Sequence, residues 1–191
     1  MANSDGDDAT QVRESLDLAD GKAADRLLPM VYDQLRRLAS QRLGPAARSG
    51  GLEPTEIVHE AFVRLQGPTP MDWAGRTHFL AVSARAMRRV LADYARKLRA
   101  GKRGGGAQAV TLDEAVAPSQ DREVDVLELE DALARLRALS ERQAEVVVLR
   151  FFGGLSIEEC AEVLGVSRRT VLGDWSMARA WLRRELTRES A

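Results

Sequence analysis

The sequence has few of the residues that build disulfide frameworks and metal centres, and it lacks long hydrophobic runs. It contains one cysteine and two histidines among 191 residues, which excludes an internal disulfide and a multi-cysteine metal site. No stretch approaches the roughly 18 uninterrupted apolar residues of a membrane span. The N-terminus, MANSDGDDAT, is acidic and polar, unlike a secretory signal. We therefore expect a soluble cytoplasmic protein without a metal ion or cofactor.

Charge is nearly balanced over the whole chain but is unevenly distributed along it. The formal net charge is -1, and 25 of the 28 basic residues are arginine. Residues 76–103 contain nine basic residues and one acidic residue, whereas residues 104–145 contain ten acidic and four basic residues. Blocks of opposite sign in one chain predict a polyanion-binding surface beside an acidic tether.

Helical periodicity dominates the sequence and predicts an all-α fold of two small helical domains joined by a flexible acidic linker. We expect a mobile N-terminal segment over 1–20, a first domain over 21–103, a linker over 104–125 and a second domain over 126–188. No segment shows the strict alternation of a strand. Pro29 is expected in the first turn of the first helix, where its missing N–H is tolerated.

The third predicted helix, about Thr77 to Leu98, has two opposite faces. At about 100° per residue, its apolar side chains, beginning with Phe79, fall within an arc of roughly 0–120°. Its arginines fall at roughly 180–280° on the same wheel. These arginines, which we call the arginine stripe, are Arg85, Arg88, Arg89, Arg96 and Arg99. One face is predicted to be core, and the other to bind a polyanion.

Residues 156–175 follow the pattern of a helix-turn-helix. Small Ala161 suits a close helix crossing, Gly165 is expected to have a positive φ in the turn, and Ser167 caps the second helix. Ser140 and Ser156 are each expected to begin a capping box. The N-terminal part of the second helix would face the major groove. The residues predicted there are Arg168, Arg169, Thr170, Gly173 and Asp174.

These features, with TEIVHEAFVRL in the second helix and the pair Asp174-Trp175 in the last, resemble a known family. The chain is similar to the extracytoplasmic-function (ECF) subfamily of bacterial sigma-70 factors over about Ala24 to Leu186. The resemblance implies sigma domain two followed by sigma domain four. It also implies a factor that binds core RNA polymerase and promoter DNA to initiate transcription. No Ser–His–Asp or paired-carboxylate arrangement can be assembled, so we expect no enzymatic activity.

The resemblance also implies roles for individual residues. Glu56, Glu60 and Arg64 match polar contacts with the clamp coiled coil of the largest polymerase subunit, and the second domain is expected at the flap of the second-largest subunit. Trp73 and His78 lie near a loop that captures an unstacked base. The DNA-binding residues implied are Arg76, Phe79, Arg85, Arg88, Arg89, Arg96, Arg99, Ser167, Arg168, Arg169, Thr170 and Arg179.

The sequence departs from the family pattern in two places. The second helix of its helix-turn-helix is less basic than in many members. The acidic run at the start of the helix that contains TEIVHEAFVRL is reduced to Glu53-Pro54-Thr55-Glu56. Phosphorylation of Thr55 would add a charge of about -1.5 to -2 at a helix N-terminus. We hypothesise that a Ser/Thr kinase restores the missing acidity there, with an anti-sigma factor as another possible regulator. An ordinary first-turn threonine is the alternative.

Two other functions fit parts of the sequence. A stand-alone helix-turn-helix regulator would bind duplex DNA without polymerase, and its first half would be a sensor or dimerisation domain. The arginine stripe argues against this function, because a sensor domain needs no polyanion-binding face. A helical adaptor that contacts only protein would show no nucleic-acid association, and its behaviour would lack the steep salt dependence of phosphate contacts.

Overall fold

The computed structural model describes residues 23–43, 53–65, 74–101, 109–112 and 122–188. These ranges contain seven helices and two short strands, which confirms the all-α fold class. The N-terminal group of helices consists of α1 (Ala23–Arg42), α2 (Pro54–Leu65) and α3 (Arg76–Gly101). The strands are β1 (Ala109–Leu112) and β2 (Arg122–Asp125). The C-terminal group consists of α4 (Val126–Leu139), α5 (Glu141–Gly153), α6 (Ile157–Leu164) and α7 (Arg168–Arg188).

Local capping chemistry sets the helix boundaries in the C-terminal group. Ser156 forms a complete capping box, because Glu159 N donates to Ser156 Oγ at 3.1 Å and Ser156 N donates to Glu159 Oε2 at 2.7 Å. At Ser140 the serine half of the motif is present, with Gln143 N donating to Ser140 Oγ at 3.4 Å. Gly165 has a φ of +63° at the end of α6. The predicted left-handed turn is therefore confirmed.

Pro29 lies inside α1 rather than in its first turn. The prediction was wrong because the helix begins at Ala23, a full turn before the apolar periodicity starts. Pro29 is exposed, and its ring nitrogen cannot donate the hydrogen bond that a residue at this position of the helix normally makes.

A two-stranded ribbon occupies part of the region predicted to be a linker. β1 and β2 pair antiparallel, with Ala109 opposite Asp125 and Leu112 opposite Arg122. The expectation that the chain has no strand is therefore wrong. Each strand has only four residues, too few for the alternation that marks a strand in sequence, and β2 leads directly into α4. The rest of that linker and the predicted mobile segment over 1–20 lie outside the described residues.

The two groups of helices pack against each other around a continuous apolar core. α3 lies at the centre, because it packs on α2 within its own group and on α5 of the other. Phe79, Leu80 and Met87 of α3 and Phe151 of α5 are fully buried in this core. Burying each such side chain contributes about 1.5–3 kcal/mol. Within the described ranges, every helix is too short or too polar to cross a bilayer.

Candidate nucleic-acid interface

The arginine stripe lies on α3, as predicted, but two of its five members pair with the C-terminal group and a third lies near the end of β2. Arg85 Nε lies 2.5 Å from Glu145 Oε1 of α5. Arg88 Nε lies 3.7 Å from Glu130 Oε1 of α4, and Arg99 Nη2 lies 3.7 Å from the Asp125 carboxylate at the end of β2. These three arginines are therefore paired with carboxylates from outside the N-terminal group of helices.

The other two members of the arginine stripe lie toward solvent. Arg89 is exposed. Arg96 is also exposed, and its Nη1 lies 2.6 Å from Asp93 Oδ1, one turn earlier on the same helix. Because this pair is local, it remains intact whatever the C-terminal group does. Arg89 and Arg96 are thus stripe residues that a polyanion can reach without any rearrangement, and Arg99, whose side chain is 63% exposed, is also accessible despite its contact with Asp125.

The start of α3 holds the remaining predicted contacts of the first domain. Arg76 Nη2 donates to Gln34 Oε1 at 2.6 Å, and its Nη1 donates to Glu159 Oε1 at 3.1 Å. Phe79 is completely buried in the core. Its assignment to the DNA contacts is therefore wrong in this structure, because the ring has no free face on which a base could stack. His78 Nδ1 accepts a hydrogen bond from Ala74 N at 3.2 Å; Trp73 lies outside the described residues.

The helix-turn-helix of α6 and α7 has the predicted local geometry. Thr170 N donates to Ser167 Oγ at 3.1 Å, and the two hydroxyl oxygens lie 2.8 Å apart. Ser167 is therefore the cap of α7, and it is exposed together with Arg168 and Arg169. Arg168 forms an ion pair with Glu158 at the start of α6. The pair ties the first turn of α7 to the preceding helix.

Asp174 does not face a DNA groove. It is buried, and its two carboxylate oxygens accept from Arg142 Nε at 2.5 Å and Arg142 Nη2 at 3.3 Å. The prediction that it faces the groove is wrong, because Asp174 follows Val171 by three residues and so shares the buried side of α7 with Trp175. Arg142 neutralises the negative charge of Asp174, so this carboxylate would not repel DNA at the exposed start of α7.

Trp175 is flanked by two guanidinium groups. The Arg150 guanidinium lies 4.9 Å from the centre of its ring and that of Arg179 lies 5.8 Å away. Arg150 also donates from Nη1 to Leu155 O at 3.1 Å. Cation–π contacts of this kind hold the side chains against the ring. The structure therefore assigns Arg179, predicted to contact DNA, a packing contact within the domain.

A groove of about 520 Å³ runs between α2 and α3. The side of α2 contributes Glu56, Glu60, Arg64 and Val63, and Val63 is 62% exposed. Arg64 Nη2 lies 3.5 Å from Glu60 and 3.0 Å from Asp93 of α3. The three residues predicted to contact polymerase thus line one surface, where carboxylates surround an exposed aliphatic side chain.

Thr55 lies exposed in the first turn of α2. It borders a cavity of about 650 Å³ whose walls also include Arg36 and Arg37 of α1. Sequence reasoning missed these two arginines as neighbours of Thr55, because no local pattern reports how α1 and α2 pack. At the same turn, Glu53 N donates to Glu56 Oε2 at 3.0 Å, which partly satisfies the helix start.

No cluster of three or more metal-ligating side chains occurs in the part of the chain that the structure describes. Cys160 is fully buried in α6. Burial is the main cause that raises the pKa of its thiol to about 12, and the nearby Arg150 opposes this effect. The thiol is therefore protonated at neutral pH.

Comparison with known proteins agrees with this architecture. A family model described as ECF sigma factor matches residues 7–188, which is nearly the whole chain. A search of curated proteins gave no match. A helix-turn-helix at one end and a central helix with an arginine stripe are features that such a factor needs for contact with DNA. The chain therefore belongs to the ECF sigma factor family, whose members are transcription initiation factors that act with RNA polymerase.

Proposed function

We propose that this protein docks on core RNA polymerase through the groove between α2 and α3 and positions promoter DNA along the arginine stripe. The observation that carries the proposal is that α3 contributes to both surfaces. Its 26 residues span about 39 Å at 1.5 Å per residue. One edge of α3 lines the groove with Asp93 and Lys97, whereas Arg89 lies on the exposed side of the arginine stripe. A single rigid helix thus fixes DNA relative to polymerase.

The groove has the chemistry of a protein-docking surface. Glu56 and Glu60 offer carboxylates. The exposed Val63, on the same surface as Arg64, offers an apolar contact. A basic and aliphatic helical partner would complement this surface. The clamp coiled coil of the largest polymerase subunit is the proposed partner there, and the flap of the second-largest subunit is the proposed partner of the C-terminal group.

The proposed DNA contacts are the arginine stripe, Arg76 and the start of α7. Guanidinium groups suit phosphates because their planar forks make paired hydrogen bonds. At the start of α7, exposed Arg168 and Arg169 are placed to contact a major groove. Phe79 is left out because it is buried. Because the proposed partners are polymerase and promoter DNA, the proposed site of action is the cytoplasm.

We also propose that phosphorylation of Thr55 regulates docking. The hydroxyl lies in the first turn of α2, near Glu56 at the edge of the groove. The positive end of the helix dipole would stabilise a phosphate at this position. Arg36 and Arg37, across the cavity, would offer it guanidinium partners. A Ser/Thr kinase is the regulator that this chemistry favours, and an anti-sigma factor covering the same groove would act in the opposite direction.

The test is gel filtration of the full chain with sigma-free core polymerase. In whichever form of the chain binds polymerase, unmodified or phosphorylated at Thr55, we expect co-elution to be lost in Glu60→Lys and retained in Glu162→Lys, which changes an exposed carboxylate on α6 of the C-terminal group. If Glu60→Lys co-elutes like the unchanged protein, the groove is not the docking surface. Failure of the unchanged protein and of Thr55→Glu alike would favour a stand-alone DNA-binding regulator.

Regulation by Thr55 has its own readout. Co-elution of the unmodified chain would make the phosphorylation switch unnecessary. Binding that requires a phosphate at Thr55, added by a kinase and absent in Thr55→Ala, would support the switch. Normal transcription by Thr55→Ala in the native host would refute it.

A further inference from the structure

We propose that the free protein closes on itself: carboxylates of its C-terminal group occupy the arginine stripe in place of DNA phosphates, and DNA must displace them. The inference rests on the proposed function of the arginine stripe as a DNA surface. It adds an internal competitor to that surface, built from the acidic segment that follows α3.

Four ion pairs join the two groups within the residues that the structure describes, and these four have the same polarity. Arginines of α3 supply the cations, and the C-terminal group and its leading strand supply the anions. The pairs are Arg76–Glu159, Arg85–Glu145, Arg88–Glu130 and Arg99–Asp125. The Glu130 and Glu145 side chains are each 16% exposed, so they are well covered in the closed arrangement. Carboxylates thus lie against Arg85 and Arg88, two of the arginines proposed to hold DNA, and near the more exposed Arg99.

An apolar seam beside these pairs requires close contact between the groups. Gly153 ends α5 against α3, and a Cβ atom at this position would lie 2.9 Å from the Ala84 Cβ. Gly154 approaches Leu38 of α1, whose methyl groups lie 3.0 and 3.1 Å from the position of a Cβ atom. The Arg42 guanidinium lies 4.2 Å from the centre of the Phe151 ring, and its Nε donates to Phe151 O at 3.0 Å. The seam therefore holds α5 against both α1 and α3.

Closure and DNA binding compete for the same hydrogen-bond donors. Each guanidinium donor that pairs with Glu145 or Glu130 is withdrawn from a phosphate. The pairs at Arg85 and Arg99 are partly exposed, so added salt and an incoming polyanion both weaken them. The exposed Arg89 and Arg96 remain available for the first DNA contact, after which DNA can replace the carboxylates along the stripe.

The closed state is tested by measuring the distance between the two groups in the full chain. Spin labels would be placed at the exposed positions Met30 on α1 and Leu139 on α4 through Met30→Cys and Leu139→Cys. The buried Cys160 stays unlabelled because its raised pKa leaves it as a thiol. Double electron–electron resonance between the two labels should give one narrow distance distribution for the otherwise unchanged protein at low salt.

Two independent changes should open the protein. Glu130→Gln with Glu145→Gln removes charges from the ion pairs, whereas Gly153→Ala inserts a methyl group into the apolar seam without altering charge. Both should broaden the distance distribution. Gly173→Ala is the matched control for the glycine change, because a Cβ atom there meets nothing within 4 Å. Circular dichroism checks that each variant remains helical.

The DNA readout uses a fluorescent 20-nucleotide oligo-dT as the probe. We expect Glu130→Gln with Glu145→Gln to bind it about tenfold more tightly than the unchanged protein does, because each freed arginine gains a phosphate. The matched control is Glu162→Gln with Glu185→Gln, which removes the same charge from the C-terminal group without freeing an arginine proposed to contact DNA. An equal gain in the control would overturn the inference, since net charge alone would explain it.

The remaining outcomes separate this inference from the proposed function. A broad distance distribution in the unchanged protein would overturn closure. It would leave the proposed docking on polymerase unaffected, because gel filtration tests that proposal separately. Opening without tighter oligo-dT binding would overturn the idea that closure masks DNA contacts. If the opened protein binds equally well after Arg85→Ala and Arg88→Ala, the arginines that closure covers are not DNA contacts, and that part of the proposed function fails.

Discussion

Helices α3 and α7 are both long, and each has one buried face and one arginine-bearing face, but their arginines are paired in different ways. Stripe arginines of α3 meet carboxylates that are distant in sequence, as in Arg85 with Glu145, 60 residues away. The arginine at the start of α7 meets Glu158 of the adjoining helix. Moving the two groups apart would expose the first surface and leave the second unchanged. The proposed DNA binding by α3 would therefore depend on conformation, whereas the proposed DNA binding by α7 would depend on local sequence.

The largest expected effect concerns the buried face of α3. Phe79→Ala should lower the free energy of unfolding by about 3–5 kcal/mol, because the ring is fully buried and its removal leaves a cavity. Urea denaturation followed by circular dichroism measures the loss. Phe79→Leu is the control that preserves an apolar side chain, and it should cost clearly less.

The same pair of variants tests the sequence-based role of Phe79 in DNA binding. Phe79→Leu should bind oligo-dT as the unchanged protein does. A large loss of DNA affinity in the folded Phe79→Leu variant would show that the ring leaves the core to stack on a base.

The second prediction concerns the buried face of α7. Asp174→Ala should lower the free energy of unfolding by about 1.5–3 kcal/mol, because it removes a two-pronged hydrogen-bonded pair with Arg142. The same denaturation measurement applies. Asp174→Ala should not increase DNA affinity, since the carboxylate faces the domain interior. A gain in affinity would place Asp174 at the DNA surface after all.

The third prediction concerns the part of the arginine stripe that is exposed in the closed protein. Arg89→Ala with Arg96→Ala should weaken oligo-dT binding about tenfold and reduce the slope of log affinity against log salt by about 1.4, because two phosphate contacts are lost. Fluorescence anisotropy over a salt series measures both quantities. Arg183→Ala with Arg184→Ala removes the same charge from exposed positions near the end of α7. An equal change in that control would mean that affinity follows net charge and not the arginine stripe.

Local rules predicted most of the elements but not how they meet. The capping box at Ser156 and the left-handed Gly165 could be read from sequence because their partners lie within four residues. Helical periodicity also placed Phe79 on the apolar face of α3, and its burial agrees with that placement rather than with the DNA contact implied by the family resemblance.

The features that sequence reasoning missed depend on contacts between distant segments. The carboxylate of Glu145 reaches Arg85 only because α5 packs on α3. Arg36 and Arg37 border the cavity at Thr55 only because α1 packs beside α2. Neither relation leaves a periodic or capping signal in the chain, so each requires the tertiary structure.

The smallest expected effect sharpens the contrast between distant and local pairs. Glu158→Ala removes the partner of Arg168, and both side chains are more than half exposed. Solvent screens such a pair, so the free energy of unfolding should fall by less than about 1 kcal/mol. The distance between spin labels on α1 and α4 should not change, because the pair lies wholly within the C-terminal group. If Glu158→Ala opened the protein as Glu130→Gln with Glu145→Gln is expected to, closure would depend on the overall acidity of the C-terminal group and not on the carboxylates that touch α3.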